Sequence, residues 1–176
     1  GYHAREVNEN KVPEVRISLR PLPALVPGLQ AHYFGLFGKG NAEIPELGGN
    51  APDYNVNLVM LSYQNAWATF TGQWARTEGN NEGALVDPAT GKALRGEGCS
   101  FFLNAKLPVL GRRIRVFARY DRFDPDVEHQ VTPGDAAYEL VIAGAAWQVH
   151  RSLLLLAAYE GIFHQRNNGG LGEVPR

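Results

Sequence analysis

The sequence runs to 176 residues, enough for one domain, and its 44% hydrophobic and 20% charged residues exclude a chain disordered by composition. A formal net charge of −1 argues against a nucleic-acid partner, which needs a basic excess or stripe. Twenty glycines, eleven prolines and one cysteine, Cys99, fit strands and turns without a disulfide framework or thiolate metal site within the chain.

In chain order, apolar and polar residues alternate. Val15, Ile17 and Leu19 alternate with Arg16, Ser18 and Arg20, the period of a strand with one apolar face, predicted over 14–22. Weaker alternation predicts strands over 28–38 and 54–64. Ala68, Phe70, Gly72 and Trp74 alternate with Thr69, Thr71 and Gln73 in 66–77. Phe101, Leu103, Ala105 and Leu107 do the same in 97–107, as do Ile114, Val116, Ala118 and Tyr120 in 113–123. Strands over 137–149 and 153–165 complete the set. A helical reading of 137–159 stands beside the last two, because 153–158 is a continuous apolar run. Each predicted strand spans roughly 9–13 residues, the length of a tilted strand crossing a bilayer rather than the ~5–6 of soluble sheets. No apolar run reaches the ~20 residues of a spanning helix.

The connections alternate too. Val26-Pro27-Gly28, Gln64-Asn65, a turn around Gly111 and His150-Arg151-Ser152 are short. The others, 39–53, 78–96 and 124–136, are long, polar and rich in Gly, Asn, Pro and Asp. Short periplasmic turns and longer extracellular loops give this layout in outer-membrane barrels. The expected fold is therefore all-β: an antiparallel up-and-down transmembrane β-barrel with about eight strands, 1–176 forming a single barrel or barrel portion. With the long connections extracellular, both ends of the chain fall on that side, and the sequence ends Glu173-Val174-Pro175-Arg176 rather than on an aromatic residue. An internal portion of a larger barrel is the expectation, and a complete eight-stranded barrel the alternative.

The charged residues on the polar strand positions are the candidate pore-lining set: Arg16, Arg20, Lys106, Arg115, Arg119, Asp121 and Glu160. Rings of cationic side chains bias a pore toward anions; the plainer reading pairs the cations with Asp121 and Glu160. Tyr33, Phe37, Tyr54, Tyr63, Trp74, Tyr120, Phe123, Tyr138, Trp147 and Tyr159 form the candidate aromatic girdle, with Trp67 and Phe163 beside them. Asp124, Asp126, Glu128 and Asp135, with His129, offer oxygen ligands but lack the spacing and glycine of a calcium loop. They are read as a solvated loop. Five histidines show no metal spacing, and neither a Gly-x-Ser-x-Gly elbow nor a phosphate loop occurs. No catalytic residue, metal or cofactor is expected.

Three segments carry a family resemblance: Arg16-Ile17-Ser18-Leu19-Arg20-Pro21-Leu22-Pro23, Val26-Pro27-Gly28-Leu29-Gln30, and the run from Phe117 through Tyr120-Asp121-Arg122-Phe123 to Asp126. They resemble the later strands of the phosphate-selective porin family, and Ala157-Ala158-Tyr159-Glu160 resembles its closing region. The resemblance implies a large antiparallel barrel, often trimeric, that passes small anions or other solutes. The dense lysine and arginine constriction behind phosphate selectivity in that family has no counterpart here. The expected protein is a porin-like channel for passive diffusion in the bacterial outer membrane. Its partners would be the lipid bilayer, small solutes, and further barrel strands, a partner chain or sister copies. Two other readings remain: a scaffold barrel holding an electron-transfer or secretion subunit in its lumen, and a soluble eight-stranded barrel around an apolar ligand.

Overall fold

Each stretch of alternation becomes a strand. The computed structural model describes residues 11–41, 51–128, 131, 137–166 and 170–173. Its strands are β1 (Glu14–Leu19), β2 (Leu29–Lys39), β3 (Asp53–Gln64), β4 (Ala68–Glu78), β5 (Arg95–Lys106), β6 (Ile114–Asp124), β7 (Tyr138–His150), β8 (Leu153–Arg166) and β9 (Gly170–Glu173). Hydrogen bonding joins them in chain order, β1 through β9, into one antiparallel up-and-down sheet. The outermost strands β1 and β9 do not pair with each other, so the sheet is open. The described residues hold no α-helix, hence none long and apolar enough to cross a membrane, which says nothing of crossing by strands.

Three expectations change. The apolar run at 153–158 lies within β8 and pairs with β7, so the helical reading of that region is replaced by two long strands. β1 stops at Leu19, short of residue 22, because Pro21 and Pro23 have no N–H for a ladder. Arg20 therefore sits in the connection, not on a strand. Residues 170–173, expected in a loop piece, form β9 against Phe163–Arg166 at the end of β8.

The short connections are built by specific residues. In the β3–β4 turn the Asn65 carboxamide oxygen accepts from the backbone N–H of Trp67 and Ala68, both at 2.8 Å, an Asx turn that closes the hairpin. Gly28 ends the β1–β2 connection hard against this turn: a Cβ there would lie 1.9 Å from the Gln64 carbonyl oxygen. Between β5 and β6 three successive residues, Leu110, Gly111 and Arg112, have φ of 47°, 65° and 67°. This left-handed turn is natural for glycine and costs about 1 kcal/mol or more at each of the other two. Gln148 donates to the carbonyls of His150 (2.7 Å) and Leu153 (3.3 Å), holding the β7–β8 turn beside a bulge between Gln148 and His150.

No second layer among the described residues covers this sheet. Among the described residues the buried apolar side chains are Leu36, Ala51, Leu94, Ala137 and Ala146, and three of these lie in or beside the long connections. Apart from Gly35, Leu36, Gly96 and Ala146, the described strand residues are exposed or half-buried. A soluble domain buries one sheet face against another element; among the described residues neither face has such a cover.

Candidate functional site

Residues opposite each other in the register share a face, so the pairing assigns every strand residue to one of two sides. One row of the first side runs Leu19, Ala31, Leu61, Gly72, Phe101, Tyr120, Val141, Gly161. The next row toward the short turns adds Leu29, Tyr63, Phe70, Leu103, Ala118, Ala143 and Tyr159. Both rows lack charge, and their large side chains lie open, Leu61 at 53% and Phe101 at 47% exposure. The other side carries, in one row, Gln30, Ser62, Thr71, Phe102, Arg119, Ile142 and Glu160. Its neighbouring row holds Ser18, His32, Met60, Gln73, Ser100, Asp121 and Leu140.

Exposure is uneven between the sides. Along β3 to β5 the apolar-face residues Val59, Leu61, Tyr63, Phe70 and Leu103 are exposed, whereas their polar-face neighbours Met60, Ser62, Thr71, Phe102 and Asn104 are half-buried. Side chains crowd one another on the inner side of a curled sheet, so along β3 to β5 the polar face is the concave one. Cross-strand aromatic–glycine pairs accommodate that crowding: Phe117 faces Gly144, and Phe123 faces Gly98. A Cβ on Gly144 would stand 2.5 Å from the Phe117 ring and 2.4 Å from the Ala157 carbonyl oxygen.

The six in-strand pore-lining candidates, Arg16, Lys106, Arg115, Arg119, Asp121 and Glu160, all fall on this polar face. They are not one cluster. Arg119 pairs with Asp121 at 2.8 Å, the structural pairing expected as the plainer reading. Glu160 shares Arg119's row, with Ile142 between them, and no ion pair joins it to a described cation. Nearer the short turns Lys106 and Arg115 stand directly opposite across β5 and β6, two like charges with no described carboxylate paired to either. The Lys106 ammonium donates to the Ala66 carbonyl at 3.1 Å. The two cations line a polar cavity of about 220 Å³ with Gln64, Thr69 and Asn104. Such a juxtaposition is unfavourable by itself and favours an anion nearby.

Of the ten girdle candidates, Tyr33, Phe37, Tyr63, Trp74, Tyr120, Trp147 and Tyr159 lie on the apolar face. Tyr54, Phe123 and Tyr138 fall on the polar face, where Phe123 and Tyr138 pack at 5.9 Å between ring centroids. Their positions at strand ends were legible, but their side depended on the register. Three of the seven mark a boundary. Toward the long connections the apolar face gives way to charge: Arg76 stands opposite Glu97, and Glu78 opposite Arg95. Lys39 pairs with Asp53 at 3.0 Å, Arg76 with Glu97 at 3.5 Å and Arg95 with Glu128 at 2.8 Å. The polar tips of two of the three aromatic residues reach this ladder: Tyr33 donates to Asn57 at 2.8 Å and Trp74 Nε1 donates to Glu97 at 2.8 Å, while Tyr120 stands one row from Glu139 on the same face. An aromatic ring with its body among apolar neighbours and its tip in a polar layer is suited to a water–apolar boundary.

Two features escaped the sequence reading. Ser18 Oγ, His32 and Ser62 Oγ form a chain across β1, β2 and β3, at 2.9 and 3.3 Å from the two imidazole nitrogens. Their positions in three separate strands hid it. A Tyr-x-Gly-x-Phe pattern occurs twice on the apolar face, at Tyr33-Gly35-Phe37 and Tyr159-Gly161-Phe163, each tyrosine folding its hydroxyl end over the glycine. That repeat was visible as text. In the acidic connection Asp126 is 1% exposed and accepts from Val131 N–H at 2.9 Å, while its own N–H donates to Asp124 at 2.9 Å. Asp135 and His129 lie outside the described residues. Among the described residues no group of three or more His, Cys, Asp or Glu side chains is arranged to hold a metal. Comparison with protein-family models, with curated proteins and with solved structures gives no match to this chain.

Proposed function

We propose that the chain forms part of the wall of a porin-like channel in the bacterial outer membrane, through which small solutes diffuse passively. The apolar convex face contacts lipid and the polar concave face lines water. The observation that carries this reading is the uncovered apolar face, ending toward the long connections in boundary aromatics and an ion-pair ladder. In lipid every backbone polar group must be paired, so the free edges of β1 and of β8 below its pairing with β9 require further strands or a partner chain. Closure into a barrel is part of the proposal, as is the resemblance to phosphate-selective porins. The opposed Lys106 and Arg115 favour anions at the short-turn mouth.

The test is heat-modifiable gel mobility followed by conductance in planar bilayers. Expected are a band shift on boiling, detergent-dependent solubility, and discrete channels whose reversal potential in a salt gradient moves toward cation preference in the Lys106→Glu/Arg115→Glu double variant. A protein that remains soluble without detergent sinks the reading. The scaffold reading has one observation behind it: Leu140, Ile142, Leu154 and Leu156 place an apolar patch on the otherwise polar face. It predicts the same band shift without open channels.

A further inference from the structure

The two rims of the apolar face differ in charge. The long-connection rim is a ladder of paired opposite charges, and the described residues connecting its strands hold four acids, Glu82, Asp87, Asp126 and Glu128, against Lys92. The four short connections hold Arg20, Arg112, Arg113 and Arg151 and not one aspartate or glutamate. Among the described residues no carboxylate forms an ion pair with any of these four. The same connections expose Leu22, Leu25, Trp67, Val109 and Leu110, with Leu25 at 81% and Leu110 at 63%. Arg112 lies over the Trp67 ring at 3.9 Å from its centroid, joining the β3–β4 and β5–β6 turns. The apolar surface of the strands thus continues into the turns and ends among arginines rather than among ion pairs.

We propose that this short-turn rim is a binding surface for anionic phospholipid: the leucines and Trp67 enter the acyl boundary while Arg112, Arg113 and Arg151 engage headgroup phosphates. This rests on the membrane reading above. The apolar tips continue a surface already assigned to lipid, and unpaired arginines at that depth meet the layer where lipid phosphates lie. Basic residues near a membrane surface attract anionic lipid, and their effects accumulate over a cluster. An arginine stacked on an indole keeps its charge while its plane stays available for a phosphate. An acidic peptide of a partner protein would meet the same charge but has no use for the exposed leucines beside the lipid-facing strands.

The test uses the full chain with Trp74→Phe and Trp147→Phe, which leaves Trp67 as the reporter in the rim. It is reconstituted in vesicles of phosphatidylcholine with brominated phosphatidylcholine or brominated phosphatidylglycerol as quencher. The expected result is a several-fold higher relative association constant for phosphatidylglycerol at low salt, falling toward one at high salt. The preference is lost in Arg112→Gln/Arg113→Gln/Arg151→Gln, and reduced in Arg151→Gln alone, which leaves the Trp67 contact untouched. Equal quenching by both lipids overturns the inference and leaves the membrane reading standing. Absence of quenching by either lipid overturns both. Displacement of Trp67 quenching by soluble polyglutamate, without any phosphatidylglycerol preference, overturns it in favour of an acidic protein partner.

Discussion

Gly28 and Gln64 illustrate how closely neighbouring short turns are fitted. A methyl group on Gly28 would meet the Gln64 carbonyl oxygen, a backbone atom that also belongs to the β3–β4 hairpin. Gly28→Ala should therefore destabilise by about 1–3 kcal/mol, the usual cost of forced overpacking, read as a lowered urea midpoint of unfolding. An unchanged midpoint would mean that the two turns separate freely. Asp87 offers a second test in the long connection between β4 and β5. The Thr90 hydroxyl and then the Ala89 backbone N–H donate to its carboxylate and hold its pKa below the ordinary value. Because the folded pKa is depressed, the contribution exists above the unfolded carboxylate value and is lost as pH falls through the folded one. Protection factors at Ala89, Thr90 and Gly91, taken against the intrinsic exchange rate at each pH, should fall below about pH 4. Asp87→Asn should already exchange faster at neutral pH and respond little to acid.

At the scale of the strand, a one-residue step changes side. Leu103 and Asn104 adjoin on β5, the first on the apolar face and the second on the polar face. On the proposal that the apolar face meets lipid, Leu103→Arg should cost about 2–4 kcal/mol, the penalty for a cation on the lipid side of a barrel strand, against less than about 1 kcal/mol for Asn104→Arg. Urea titration in lipid vesicles checks the pair, and equal costs would remove the distinction between faces. Strand placement was legible because alternation is local: Ala68 to Trp74 and Ile114 to Tyr120 declare themselves without any partner. Side was legible only in part. Charged residues at alternate positions sorted themselves, and all six in-strand pore-lining candidates fell together. Tyr54, Phe123 and Tyr138 did not, since an aromatic ring suits either face and only pairing decides. The ion-pair ladder was illegible because Arg76 and Glu97 meet through register, 21 positions apart in sequence. Arg20 and β9 were missed at element ends, where two prolines cut one strand and a glycine-rich stretch concealed another.

Across the whole molecule, long connections on one side and short turns on the other separate charge along the strand axis, acidic at one rim and basic at the other. The sheet itself is joined only between chain neighbours, so no strand depends on one distant in sequence. That linear pairing makes the hairpin a removable module. Cutting out β5 and β6, with their short turn and the long connection that follows, would leave β4 and β7 with their original directions and free edges to meet each other. Under the channel proposal further strands close this open sheet into a wall, and the diameter of a closed wall scales roughly with strand number. If the parent protein shows the heat-dependent mobility and channels proposed for it, the shortened protein should keep the former and give a smaller single-channel conductance, whereas failure to fold would show that the removed hairpin is needed for more than girth. On the channel proposal, bore can then be altered two strands at a time by insertion or loss of a contiguous stretch of sequence, a route to pores of different gauge from one repeating architecture.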